Sequence, residues 1–170
     1  MNDKSLPSRF YQHNMHEKET YREKLRNSND LPRVEEIPKK MRKTWGSGTL
    51  VIPSPREVDE IMRKIPKGKL TTINHIRSAL ARSHGATIGC PITTGLFARI
   101  AAGAAAEDEA EGRKHITPFW RTLKSRGELN PKYPGGIRGQ RRRLQAEGQK
   151  VITRGKRTFI EDYENFLVEL

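Results

Sequence analysis

Apolar residues along this 170-residue chain keep a helical rhythm from Ser54 to about Ala104 and lose it on either side. Ser54-Pro55-Arg56-Glu57 opens the regular stretch: the serine suits a cap, the proline a first turn, and the glutamate three positions on completes a capping box. Val58, Ile61, Met62 and Ile65 follow at helical spacing and predict one buried stripe, which Pro66-Lys67-Gly68-Lys69 ends. Leu70-Thr71-Thr72 predicts the start of a second helix with Ile73, Ile76 and Leu80 on one face, stopping near Ser83-His84-Gly85. A third helix is predicted from Pro91–Thr94 onward, turning Leu96, Phe97, Ile100, Ala101 and Ala104 inward. Its small residues, Ala101 to Ala106, suit either close approach to another surface or plain core packing.

The flanks read differently. Residues 1–44 alternate charges, are interrupted by Pro7, Pro32 and Pro38, and carry only isolated apolar residues, so they predict a flexible basic N-terminal arm, extended or disordered, with at most one short helix between Met15 and Leu25. Order is expected from Trp45, giving a single domain over 45–170. Beyond the third helix, Glu107, Asp108, Glu109 and Glu111 form an acidic run, and Ile116 to Leu123 predicts an extended segment. Gly127 to Gly136 predicts a projecting turn-rich loop, and Ile137 to Glu147 a basic helix closed by Gly148. After Val151-Ile152 and a turn at Arg154-Gly155-Lys156, an acidic amphipathic helix with Tyr163, Phe166 and Leu167 is expected. Two adjacent helices followed by an extended segment and a Gly-rich basic loop predict a mostly α, winged helix-turn-helix domain with a short β wing.

Charge changes this picture most. Lys and Arg total 33 against 20 acids, a formal net of +13, and such an excess attracts polyanions, of which nucleic acid is the commonest in a cell. The charge is also segregated: Arg121 to Arg157 holds twelve Lys or Arg and only Glu128 and Glu147 as acids. A membrane partner is disfavoured, since no apolar run reaches the roughly 20 residues of a bilayer span and no aromatic-rich basic amphipathic helix accompanies the charge. The polar N-terminus lacks the apolar centre of a secretory signal, so a soluble, cytoplasmic protein is expected. Cys90 is the single cysteine, which excludes an internal disulfide, and none of the five histidines shows ligand spacing, so no metal or cofactor is expected.

Three motifs in order carry a family resemblance. Ile65-Pro66-Lys67-Gly68-Lys69-Leu70-Thr71-Thr72, then Pro118-Phe119-Trp120-Arg121, then Tyr133-Pro134-Gly135-Gly136-Ile137 with the basic helix ending Leu144-Gln145-Ala146-Glu147-Gly148, together resemble the DNA-binding domain of alkylguanine-DNA alkyltransferases over about residues 55–148. The resemblance implies a DNA-binding winged helix. It also implies loss of chemistry: Phe119 stands at the position of the acceptor cysteine and Trp120 at that of the histidine, leaving Glu147 without a relay. Alkyltransferase-like proteins, which lack that cysteine, bind alkylated DNA and flag it for repair; the resemblance therefore implies a non-enzymatic DNA-binding protein, sensing alkylated bases, with duplex DNA and a repair protein as partners. The chain departs from that pattern at Ile73, where the family has tyrosine, and at Gly95, where it has arginine; Arg99, one turn later, is the candidate replacement.

Candidate site residues follow from chemistry as well. Thr71, Thr72, Thr93 and Thr94 fall at predicted helix starts, where hydroxyls suit either phosphate oxygens or capping. Arg121, Lys124, Arg126, Lys132, Arg138, Arg141, Arg142 and Arg143 would supply backbone charge, some of them as solvated surface. Phe119, Trp120 and Tyr133 fit two roles, a base-sized stacking pocket or, for Phe119 and Trp120, a plug in a vestigial site. Cys90 reads as a buried small hydrophobe. The competing function class is a protein-interaction module that inherited the fold and binds through its arm and acidic C-terminal helix.

Overall fold

The structure, a computed structural model, describes residues 18–170. Among these residues, about half are helical, in α1 (Tyr21–Arg26), α2 (Arg42–Trp45), α3 (Pro55–Arg63), α4 (Ile73–His84), α5 (Pro91–Ala110), α6 (Gly136–Ala146) and short 3-10 turns. The strands are short: β1 (Arg33–Glu36), β2 (Thr49–Ile52), β3 (Thr71–Thr72), β4 (Ile88–Gly89), β5 (Thr122–Leu123), β6 (Val151–Arg154) and β7 (Arg157–Ile160). They form three small sheets, β1-β2-β4, β3-β5 and β6-β7. No helix of the described residues is long and apolar enough to cross a membrane.

Local chemistry places the helices that matter. The Ser54 hydroxyl accepts the Glu57 N–H at 3.3 Å while the Glu57 carboxylate accepts the Ser54 N–H at 2.8 Å, closing the capping box of α3. Thr72 caps α4 in the same way, accepting the His75 N–H at 3.3 Å, and Gly85 ends that helix in the left-handed region at φ 62°. Val58 and Met62 of α3, Ile76 and Leu80 of α4, and Phe97, Ala98, Ala101, Ala102 and Ala105 of α5 form the main core with Phe119 and Tyr133. A second cluster joins Leu70, Leu123, Leu129, Leu144 and Ile160, and a third joins Ile37, Leu50 and Cys90. A seam fastens the second cluster: the Leu70 N–H donates to the Phe166 carbonyl at 2.9 Å, and the Val168 N–H donates to the Leu70 carbonyl at 3.1 Å.

Several expectations are corrected. Residues 1–17 lie outside the described residues, but residues 20–44 are no loose arm. β1 pairs antiparallel with β2, Ile37 is fully buried, and α1 lies on α5. The reason is a docking site that sequence periodicity does not display: Glu107 of α5 accepts the first N–H groups of α1, from Tyr21 at 2.9 Å and Arg22 at 3.0 Å, and Arg22 reaches Glu107, Asp108 and Glu111. The acidic run is thus the end of α5 together with its C-cap Glu111, and it anchors α1. Thr71-Thr72 forms a short strand held parallel to Thr122-Leu123, and Thr72 is the expected threonine cap of the helix that follows. Ile116 to Leu123 becomes a 3-10 turn (Phe119–Arg121) followed by β5. The 127–136 loop projects less than expected, since Leu129 and Tyr133 are buried in it. The expected acidic helix near the end is instead strand β7 and a 3-10 turn, Tyr163–Phe166. Leu96, expected to face inward, is 45% exposed.

Candidate nucleic-acid interface

α4, the start of α5 and the 124–132 loop enclose an open cleft of about 550 Å³. Its walls bring together Arg77 of α4, Arg99 of α5, and Lys124 and Lys132 of the loop, around an apolar lip of Ile73, Ile92 and Leu96. Among the described residues, no aspartate or glutamate lines it. Arg99 and Lys132 are exposed and have no ion-pair partner among the described residues. Lys124 lies 3.3 Å from Glu128, whose carboxyl is held below its usual range first by a hydrogen bond from Arg157 and further by Lys124, against burial. Arg77 is fixed by donating to the Gly89 carbonyl at 3.1 Å, and burial lowers its pKa. Arg77, Arg99 and Lys132 face the hollow without an ion-pair partner among the described residues, and with Lys124, which Glu128 partly offsets, they produce a local positive field suited to phosphate.

The threonines do not join them. Thr71 and Thr94 are fully buried and Thr72 nearly so. Thr72 caps α4, and Thr94 donates to the Cys90 carbonyl at 2.8 Å, so these hydroxyls face inward and cannot meet a phosphate. Thr93 is half-buried, and its hydroxyl has no partner among the described residues.

Of the aromatic trio, Phe119 and Tyr133 are core, and Trp120 packs half-buried against them. Phe119 is 1% exposed and Tyr133 3%, and the Phe119 ring packs edge-on against Trp120 at 5.4 Å and Tyr133 at 5.7 Å between centroids. No base-sized space separates them; burial also pushes the Tyr133 hydroxyl above its ordinary pKa. Beneath the trio, Glu147 gathers donors. It accepts the Trp120 indole N–H at 3.0 Å and Arg121 Nε and Nη2 at 3.0 and 2.6 Å, while Arg121 Nη1 donates to the Ile65 carbonyl at 2.7 Å. Burial raises the Glu147 carboxyl, but the hydrogen bonds from Arg121 and Trp120 and the charge of Arg121 outweigh it and keep the group below the usual carboxylate range. Arg121 is therefore a structural cation rather than a phosphate contact.

The basic helix divides its arginines. Arg138 and Arg142 are exposed without ion pairs among the described residues, whereas Arg141 leans on β6 through Thr153 at 3.3 Å. Arg143 pairs with Glu109 at 2.6 Å and stacks over Trp120 at 4.6 Å, which takes it out of the free set. None of these lines the cleft. Arg126 is exposed, adopts φ 62°, and lines a separate hollow with Arg154 and Arg157 of the β6–β7 hairpin. Sequence reasoning missed Arg77, Ile92 and the hairpin arginines. For Ile92 a signal existed: it falls off the buried stripe defined by Phe97 and Ala101. For Arg77 none did, because an arginine between core positions of a helix looks like solvated surface.

Neither a protein-family model nor a curated protein matches this chain. Among solved structures, the chain is similar to Atl1 of S. pombe in complex with damaged DNA containing O6-carboxymethylguanine, at 20% identity and a TM-score of 0.48 over 68% of this chain and 94% of that one. It is also similar to S. pombe ATL in complex with DNA, at 20% identity and a TM-score of 0.49 over the same shares.

Proposed function

We propose that this protein binds duplex DNA without acting on it, using α4 and α5 as a helix-turn-helix whose α5 start enters a groove. The observation that carries the reading is the cleft ringed by Arg77, Arg99, Lys124 and Lys132 and lined by no acid among the described residues. Exposed Arg138, Arg142 and Arg154 add cations outside it. A volume of about 550 Å³ lies within the usual range of ligand pockets and suits a displaced base, so the reading extends to sensing of alkylated bases through the motif resemblance. Absence of transfer chemistry is supported by Phe119, which fills the acceptor position with a packed ring, and by Cys90, whose thiol sits in a cluster with Ile37 and Leu50. Titration with duplex, single-stranded and O6-methylguanine-containing oligonucleotides at several salt concentrations tests it. Binding should favour the duplex, tighten with the modified base, and weaken linearly in log–log form as salt rises. Salt-independent binding, or none, would remove the reading.

A further inference from the structure

Three lysines stand exposed close together in the N-terminal segment: Lys39 and Lys40 in the 3-10 turn Lys39–Met41, and Lys43 in α2. None has an ion-pair partner among the described residues, and the acids nearest to them in the chain are already held, Asp30 and Glu35 by Arg33 and Glu36 by Arg42. Arg42 is itself structural, since its Nε also donates to the Ile37 carbonyl at 3.3 Å. The charge of the three lysines therefore stays uncompensated. They also lie outside residues 55–148, the span of the motif resemblance.

Apolar contacts fix where that charge sits. Met41 and Trp45 pack against the third cluster, Ile37, Leu50 and Cys90. Cys90 is the N-cap of α5, its N–H donates to the Val51 carbonyl at 2.9 Å, and the next two residues, Pro91 and Ile92, line the basic cleft. Arg77 of the cleft is tied to the same stretch through the Gly89 carbonyl. The lysines and the cleft thus meet across one small cluster. A duplex carries one phosphate charge per about 1.7 Å of its axis, so a helix start seated on it leaves further phosphates within reach of cations beside that helix. Lysine, a point charge on a flexible stem, suits a backbone contact that positions the protein without reading sequence. We infer that Lys39, Lys40 and Lys43 form a second phosphate-binding surface, which extends the footprint of a bound duplex from the cleft onto the N-terminal segment. The inference rests on the DNA-binding reading above.

Lysine acylation of the full chain by an N-hydroxysuccinimide ester, with and without saturating duplex and read residue by residue by mass spectrometry, tests it. Lys39, Lys40 and Lys43 should lose reactivity severalfold in the complex, together with Lys132 of the cleft. Exposed Lys114 should keep its reactivity, because it lies beyond the far end of α5, a 20-residue helix about 30 Å long. Lys39→Ala, Lys40→Ala and Lys43→Ala together should lower the log–log salt slope of binding by about 0.9 for each phosphate released. Thermal melting of that variant should match the wild type, since the anchors Met41, Arg42 and Trp45 remain. Unchanged reactivity of the three beside a protected Lys132, equal protection of Lys114, or an unchanged slope in the triple variant overturns the second surface and leaves the DNA reading standing. Absence of salt-dependent binding by the wild-type chain overturns both.

Discussion

The Tyr21 ring of α1 lies directly on the bare α-carbon of Gly103 in α5, so close that a Cβ at Gly103 would overlap the ring. Only glycine lets the two helices approach this far. Gly103→Ala should therefore lower stability by about 1–3 kcal/mol, the usual cost of overpacking, even though alanine favours the helix itself. Tyr21→Ala should cancel much of the loss, and chemical denaturation of the two single variants and the double variant would reveal that coupling.

Deleting residues 1–44 should destabilise the protein rather than trim it. The cut removes β1 and Ile37 from the first sheet and third cluster, and leaves Glu107, Asp108 and Glu111 without Arg22. A markedly lower melting temperature, with exposed apolar surface detected by dye binding, is the expected outcome. Cooperative melting at the full-length temperature would show that α1 and β1 are ornaments.

Acid should loosen the Glu147 hub. Its folded pKa is lowered, so its contribution is present above the unfolded value and is lost as pH falls through the folded one, that is, below the ordinary carboxylate range of about 4.3. Glu147→Gln should cost up to about 3 kcal/mol at neutral pH, because Arg121 loses its partner in a largely enclosed site. The variant's melting temperature should then fall less steeply than the wild type's on acidification.

Cations in the cleft and cations in the hub should separate by measurement. Arg99→Ala with Lys132→Ala should leave the melting temperature unchanged and reduce the log–log salt slope of DNA binding by about 0.9 for each phosphate that is no longer neutralised. Arg121→Ala and Arg143→Ala should instead destabilise the fold, since Arg121 holds Glu147 and Arg143 joins Glu109 to Trp120. An equal salt slope in the cleft variant would move the DNA to another face.

Incubation with O6-methylguanine DNA should leave the protein mass unchanged. Transfer requires a thiolate within reach of the displaced base, and Cys90 is buried with Ile37 and Leu50. A gain of one methyl group, absent from Cys90→Ser, would overturn the non-catalytic reading.

The helical middle of the chain was legible because caps and stripes are local: Ser54 with Glu57, Thr72 with His75, and Gly85 all act within one turn of where they stand. Elements built by distant partners were not. β1 exists because β2 pairs with it, and α1 docks because Glu107 lies far along the chain; β7 was missed for a different reason, since its partner β6 is local but the apolar spacing of Tyr163, Phe166 and Leu167 reads as helix. The site divided in the same way. Counting charge found Arg99 and Lys132, but it weighted Arg121, Arg143 and Lys124 equally with them, since composition does not show that Glu147, Glu109 and Glu128 already hold those three.

The Leu70 seam predicts an order of assembly. The main core draws largely on α3, α4 and α5, which follow one another and close short loops, so it forms at little entropic cost. The second cluster waits for Leu70 to meet Phe166 and Val168, pairings that span most of the folded chain. Non-local closures of that kind come late and slow the overall rate. The protein should therefore refold through a stage in which α3–α5 are packed while α6 and the β6–β7 hairpin still await docking, its basic surface present as charge before it exists as shape.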